Sequence, residues 1–464
     1  MSRHTPPTAR TDVERRRGRI LAVTTAGYVG CFAVWTIFAI IGVEIQREYH
    51  LSDTAFGLLV GMPFLSGSLM RPVLGVLADR HGGRRPFFGV MLVAVAATWL
   101  VADAGTMPWL LVAGLGSGIA GACSAVGLSY IARWYPRERH GTALGIFGAG
   151  NTGAALTKLA APWVMEAWGW QSVARLWALL LLASAAIFWL GSSEDPEQAS
   201  RRAAGQGATA LAAQIAPLRR LQVWRFGLYY FFAFGGYVAL AVWLPHYLVA
   251  VYGLDIRLAG ALAVAFSLPA GLLRILGGVL SDRHGARRVM YGCFAGSLVC
   301  CFVLSYPPTD YIVHGLSGDH RFVLAIGLPV FVPILIALGF FLALGKAAVF
   351  KHIPAYYPEH VGVVGGAVGA IGGLGGFVLP VLFGLTNDLA DVWTSCFMLL
   401  FGLAAISLAW MHLAVRRQER AAASQLDELR LLPDLEPDAT DAGARARLRS
   451  TRIAPSTRRQ NPAR

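Results

Sequence analysis

The chain alternates between apolar runs of about twenty residues and short polar stretches that hold nearly all of its charge. A bilayer hydrocarbon core about 30 Å thick needs about 20 apolar residues in helical form to cross it. Twelve such runs can be drawn, near residues 20–43, 54–77, 87–103, 107–132, 142–165, 171–191, 223–249, 257–280, 289–306, 322–353, 361–385 and 392–415. The run at 87–103 is short, and the run at 322–353 is long enough to tilt or break. The pattern predicts an all-α membrane protein with twelve transmembrane helices.

The polar stretches separate by charge. One set carries ADRHGGRRP, RWYPRERHG, the connection at 192–222 and SDRHGARR. The other carries Glu44, Asp53, Asp103, Glu166, Asp310, Asp319, Asp388 and Asp391, with few basic residues. Loops rich in Lys and Arg stay on the cytoplasmic side. The first set is therefore read as cytoplasmic, with both termini on that side of a plasma membrane crossed many times. The longest internal connection divides the spans six and six. The expected organisation is a cytoplasmic tail (1–19), a six-helix bundle (20–191), a cytoplasmic linker (192–222), a second six-helix bundle (223–415) and a cytoplasmic tail (416–464).

Composition supports this reading. Of 464 residues, 56% are apolar and 14% charged, and mean hydropathy is +0.55. The 53 glycines suit packed membrane helices. The net charge of +14 is concentrated in tails and loops, so it speaks for orientation in a lipid bilayer and not for nucleic acid. The six cysteines all fall in apolar runs without metal-site spacing and read as packing residues. The Arg-rich start, ERRRGR, followed by a full apolar span, reads as an uncleaved first helix. No nucleotide loop, zinc pattern or serine elbow is present, so the chain reads as a non-enzyme with no cofactor and no metal.

The chain also repeats itself. LMRPVLGVLADRHGGRRPFFG (69–89) and LLRILGGVLSDRHGARRVMYG (272–292) align without a gap at an offset of 203, with 12 of 21 positions identical. A weaker match joins YPRERHGTALGIFGAG and YPEHVGVVGGAVGAIG. The two six-helix units are therefore duplicates, as in secondary transporters that rock two bundles about a midplane site.

The repeated G-x-x-x-D-R-x-G-x-R-R resembles the loop signature of the major facilitator superfamily, found between helices two and three and between eight and nine. The resemblance implies two pseudo-symmetric six-helix bundles. It also implies that Asp79, Arg80, Asp282 and Arg283 act as a conformational latch on the cytoplasmic side. GIFGAGNTGAAL in helix five and GAVGAIGGLGGFVLP in helix eleven resemble the paired signatures of the nitrate/nitrite porter family, over almost the whole chain except the tails.

Arg71 and Arg274 each lie eight residues before their loop Asp. At 1.5 Å per residue that is about 12 Å inside the boundary, near mid-membrane. An arginine at that depth costs at least about 2.5–3.5 kcal/mol on insertion scales, which marks a functional position. The spans offer no obvious mid-depth carboxylate as a partner. Two such guanidiniums suit a small planar oxyanion. Phosphate or an organic carboxylate would also satisfy them; the family resemblance supplies nitrate and nitrite.

Tyr230 and Phe234 are one turn apart in helix seven. The family pattern makes Tyr230 a hydrogen-bond donor and Phe234 an aromatic wall over the anion. Ser124 stands where related porters often place a second aromatic wall, and could donate to the anion instead. Asn151, about ten residues into helix five, can donate without adding charge. Lys158 lies two turns further along that face, where many family members carry Gln. Lys158, Lys346 and Lys351 are the only lysines in the chain, and all lie in apolar spans. Buried lysine can exchange a proton and arginine cannot, so Lys158 and Lys346 are candidates for proton coupling. Snorkelling to an interface is the competing reading, above all for Lys351. Gly145, Gly148, Gly153, Gly369, Gly372 and Gly376 are read as helix-packing positions.

The expectation is a monomeric transporter of nitrate and possibly nitrite working by alternating access, with protons as the coupling partner. An electroneutral nitrate/nitrite antiporter is the first alternative. A nitrate sensor or signalling membrane protein is the alternative of another class.

Overall fold

A computed structural model describes residues 7–135, 139–194, 216–315, 318–357 and 361–424. Eleven helices among them are long and apolar enough to cross a membrane. One of these, Ile146–Gly191, is two helices joined at Gly169, whose φ of 77° and ψ of 165° break the helical path. The spans are α1 (Val13–Tyr49), α2 (Asp53–Ala78), α3 (Arg84–Ala102), α4 (Met107–Trp134), α5 (146–168), α6 (170–191), α7 (Leu221–Tyr252), α8 (Ile256–His284), α9 (Ala286–Leu304), α10 (Leu328–Ile353), α11 (Val363–Ala390) and α12 (Ser395–Arg420). The protein is an all-α membrane protein.

Two boundaries differ from expectation. The tenth helix begins at Leu328, and residues 322–324 belong to a short antiparallel hairpin, β1 (Thr309–Gly315) with β2 (Gly318–Leu324). The run FVLAIG joins the next helix without a polar break, so hydropathy merged strand and helix. The first helix also runs back to Pro7, through the basic stretch read as a tail. The last continues to Ser424, and the remainder of that tail lies outside the described residues, as do residues 195–215 of the linker.

Small residues set how closely the helices approach. A Cβ at Gly57 of α2 would lie 2.1 Å from Pro380 O of α11, and one at Gly61 would lie 3.0 Å from Phe377 O. A Cβ at Gly260 of α8 would lie 2.5 Å from Lys158 O of α5. These contacts join the two halves at the end carrying the acidic loops. Arg257 of α8 also pairs there with Glu166 of α5. Toward the end carrying the loop arginines such glycine contacts thin out. Cβ atoms at Gly75, Gly278 and Gly366 would meet nothing within 4 Å, and one at Gly365 would meet only Phe350 at 3.7 Å; Leu69 and Ile275 are 51% and 71% exposed. The glycine contacts between the halves are thus concentrated toward the acidic end.

Candidate functional site

Helical regularity fails where the candidate residues sit. A 3₁₀ turn at Ile119–Ala122 precedes Ser124 in α4, and another at Ala149–Thr152 holds Asn151 in α5. A π-helical segment, Phe231–Gly236, holds Phe234 in α7. In α8 the helix is interrupted at Leu273, directly before Arg274. Such interruptions frequently accompany functional sites because they re-aim side chains and loosen the backbone ladder.

Arg71 of α2 donates from one terminal nitrogen to Gly369 O of α11 at 3.0 Å. Its guanidinium lies 5.3 Å from the Trp35 ring and 5.8 Å from the Phe234 ring. Arg274 of α8 lies 5.5 Å from the Phe350 ring of α10. Phe234 and Tyr230 stack at 5.1 Å with an interplanar angle of 5°, and Phe350 meets Tyr230 edge-on at 4.9 Å. An aromatic ladder of Phe234, Tyr230 and Phe350 thus connects the two guanidiniums, one from each half. The hydroxyls of Tyr230 and of Tyr28 each lie in electrostatic range of both arginines.

Hydrogen-bonding capacity remains at the site. Arg71 Nε and Ser68 Oγ are buried without a protein partner. Gly373 of α11 makes room for both, since a Cβ there would lie 2.2 Å from Ser68 Oγ and 3.1 Å from an Arg71 terminal nitrogen. Tyr28 donates to Asn151 Oδ1 at 2.9 Å. That bond occupies the amide oxygen and leaves Asn151 Nδ2 as a donor. Ser124 donates to Gly121 O of its own helix at 3.1 Å. Trp35 of α1 fills the adjoining space instead, with Gly121 accommodating it: a Cβ there would lie 2.3 Å from the indole.

Lys158 does not snorkel. It is 0% exposed, and its Nζ donates to Ser267 Oγ of α8 at 3.0 Å. The Ser267 carbonyl accepts from Tyr237 Oη at 2.8 Å. Lys346 Nζ stands 3.4 Å from the Tyr237 ring centroid, donates to Ala270 O at 3.0 Å and lies in electrostatic range of Arg274. Among the described residues no carboxylate comes within 4.0 Å of Arg71, Arg274, Lys158 or Lys346. Lys351 is exposed and pairs with Asp282 at 2.5 Å.

The latch residues divide. Asp282 pairs within its own half, through Lys351, and Arg283 is exposed. The side chains of Asp79 and Arg80 lie outside what the structure describes, as do the surroundings of Gly145. Of the glycines, Gly153 is pressed on α1 (a Cβ would lie 2.1 Å from Val29 O), Gly372 on Tyr230 at 2.2 Å and Gly376 on Phe64 and Val238 at 2.9 Å. Cβ atoms at Gly148 and Gly369 would meet nothing within 4 Å, so these two do not serve as packing positions in this conformation.

Six residues at the site escaped the sequence reading: Tyr28, Trp35, Ser68, Tyr237, Ser267 and Phe350. Helical spacing held a signal for two of them. Ser68 is three residues before Arg71, and Ser267 is seven before Arg274, each on the same face as its arginine.

The Major Facilitator Superfamily model matches residues 24–313 and 252–456. The chain is 39% identical to the probable nitrate/nitrite antiporter NarK1 of Thermus thermophilus over 86% of this chain and 92% of that protein. It is 30% identical to the nitrite extrusion protein of Bacillus subtilis (strain 168), over 84% and 94% respectively. It is also 30% identical to the probable nitrate/nitrite transporter NarK2 of Mycobacterium tuberculosis (strain ATCC 25618 / H37Rv), over 88% and 100%. Among solved structures, a bacterial homologue of the human lysosomal transporter Spinster, in an inward-facing and occupied conformation, shares the fold. Its TM-score is 0.66 at 19% identity, over 86% of this chain and 97% of that one. With two duplicated halves, paired signatures in α5 and α11 and relatives matched over nearly their whole length, the chain belongs to the nitrate/nitrite porter family of the major facilitator superfamily.

Proposed function

We propose that the chain carries nitrate, and nitrite with it, across the plasma membrane by alternating access, with the anion held between Arg71 and Arg274. The observation that carries this reading is the placement of two guanidiniums, one per half, at the two ends of a single aromatic ladder, with no described carboxylate within 4.0 Å of either. A buried cation without a counter-charge is costly, and an anion bridging both arginines removes that cost while drawing the halves together. Tyr230 donates to the anion, Phe234 covers its face, and Asn151 Nδ2 and Ser68 Oγ complete the donors. The basic loops face the cytoplasm with both termini, so the closely packed acidic end is the outer one. The Asp79, Arg80, Asp282 and Arg283 loops close the inner end in the opposite state. The monomer is the working unit.

Bringing in one anion against a negative-inside potential costs about 2.3 kcal/mol per 100 mV, so uptake needs coupling. Lys158 and Lys346 are the proposed proton carriers, because both are buried, cationic when protonated and unpaired with any described carboxylate. Exchange of nitrate for nitrite is the second reading, favoured by the lack of a described carboxylate relay beside the arginines. Purified protein in proteoliposomes tests both. Nitrate uptake accelerated by an imposed proton gradient alone supports symport; uptake that requires internal nitrite supports exchange. No nitrate counterflow under either condition sinks the transporter reading and leaves the sensor alternative.

A further inference from the structure

The end of the molecule opposite the loop arginines holds a side-chain cluster that the anion site does not use. The carboxylate of Asp53, the first residue of α2, accepts from three other helices. Gln46 Nε2 of α1 donates at 2.8 Å, Asn387 Nδ2 of α11 donates at 2.5 Å, and His246 Nε2 of α7 lies at 2.9 Å. Two of these three bonds cross between the halves. Asp388 reinforces them by accepting from the amides of Asp53 at 3.0 Å and Thr54 at 2.8 Å, and from the Thr54 hydroxyl at 2.5 Å. The backbones meet here as well, since a Cβ at Gly384 would lie 2.0 Å from Asp53 O. The His246 ring is enclosed by Phe56, Trp393 and Trp243 at centroid distances of 4.2, 5.0 and 5.3 Å.

Two features separate this cluster from a static tie. Histidine changes charge near neutrality, so the His246–Asp53 contact is an ion pair when the ring is protonated and a plain hydrogen bond when it is not. In the same region Trp243 Nε1, Asn387 Oδ1 and Thr394 Oγ1 are buried without a protein partner. Each carries a desolvation cost that opening to water relieves. Strong cross-half bonds are thus offset by local costs, which suits a contact that must break in every cycle.

We propose that Asp53, His246 and Asn387 form the latch of the outer gate, which tightens when His246 is protonated and must break for the anion site to open outward. This rests on the alternating-access reading and the orientation given above. Among the described residues, the charged groups around His246 are Asp53 from α2 and, through the Asp53 amide, Asp388 from α11. The first helix contributes the uncharged Gln46, and the turn before α12 contributes Trp393. All three latch residues are positioning residues that touch no anion. Protons bound by His246 on closure return to the outside on opening, so the latch adjusts the rate without adding to any coupling stoichiometry.

Spin labels at Thr106→Cys and His320→Cys, both exposed on the outer side, report the gate distance in full-length protein in lipid nanodiscs. The titration runs between about pH 5 and 8, where histidine side chains change charge. The closed population is expected to rise as pH falls through that range. His246→Gln keeps a hydrogen-bonding group but should abolish the pH response. Asp53→Asn should raise the outward-open population about tenfold. An intact pH response in His246→Gln overturns the proposal, as does an unchanged gate distance in folded Asp53→Asn; should that variant not fold, His246→Gln alone decides. Nitrate binding is measured on the same samples with Arg71→Lys as the negative control. Its absence would sink the substrate reading while leaving the gate distances to stand on their own.

Discussion

Lys158 Nζ on α5 and Ser267 Oγ on α8 lie 3.0 Å apart, joining the two halves through a lysine that is 0% exposed. From Ser267 the polar thread continues through its carbonyl to Tyr237, and the Tyr237 ring lies beneath Lys346 Nζ. The only lysines buried in the spans are thereby connected to each other across α5, α8, α7 and α10, and Lys346 reaches Arg274 electrostatically.

Removing the Lys158 amine should separate coupling from binding. Lys158→Met is expected to lose acceleration by a proton gradient while keeping nitrite-dependent nitrate exchange. The check is uptake by proteoliposomes under each driving force. Full gradient response in this variant and in Lys346→Met would clear both lysines of the role.

Either arginine should be irreplaceable by lysine, because a point charge cannot reproduce a planar fork. Arg71→Lys and Arg274→Lys are each expected to weaken nitrate binding by at least about 100-fold, and Ser68→Ala by about threefold to tenfold. Calorimetric titration of purified protein measures both. Near-normal affinity in the two lysine variants would overturn the bridged-anion site.

Asn151 should tolerate no negative charge. Tyr28 already donates to its Oδ1, so Asn151→Asp keeps that bond while replacing the Nδ2 donor by a carboxylate oxygen. Nitrate affinity should fall by more than about tenfold, with little change in thermal stability. Retained affinity would place the anion away from α5.

The glycines of α5 should behave unequally. Gly153→Ala forces a Cβ against the Val29 carbonyl at 2.1 Å, and overpacking of this kind costs about 1–3 kcal/mol. Gly148→Ala meets nothing within 4 Å, and alanine is the better helix former by about 0.5–1 kcal/mol. Melting of purified protein should therefore drop for the first and hold or rise for the second. Equal effects would mean that α5 and α1 are less closely packed than this.

The stretch GAGNTGAALTK shows how far a motif can be read. Its glycines, Asn151 and Lys158 stand out from the surrounding apolar span in the sequence alone. That Gly150 and Gly153 press on α1 while Gly148 stands open depends on a neighbour distant in sequence. The partner of Asn151 is 123 positions away and that of Lys158 is 109. Trp35 could not be foreseen from GACSAVG in α4, because the aromatic that fills that space comes from α1. The hairpin before α10 was hidden for a different reason: its second strand is as apolar as the helix it precedes.

The sequence by itself determined the apolar spans, the duplicated motif and the arginine that stands at the same place in each copy. Those follow from local rules: the length an apolar run needs to cross lipid, the bias of basic loops, and the cost of a buried charge. Only the tertiary structure decided which residues face one another. It put Phe350 beside Arg274, Ser267 beside Lys158, and His246 and Asn387 on Asp53. Pairings between halves are set by helix approach at glycine contacts and by the state of the rocking cycle, and neither is written in any one stretch of chain.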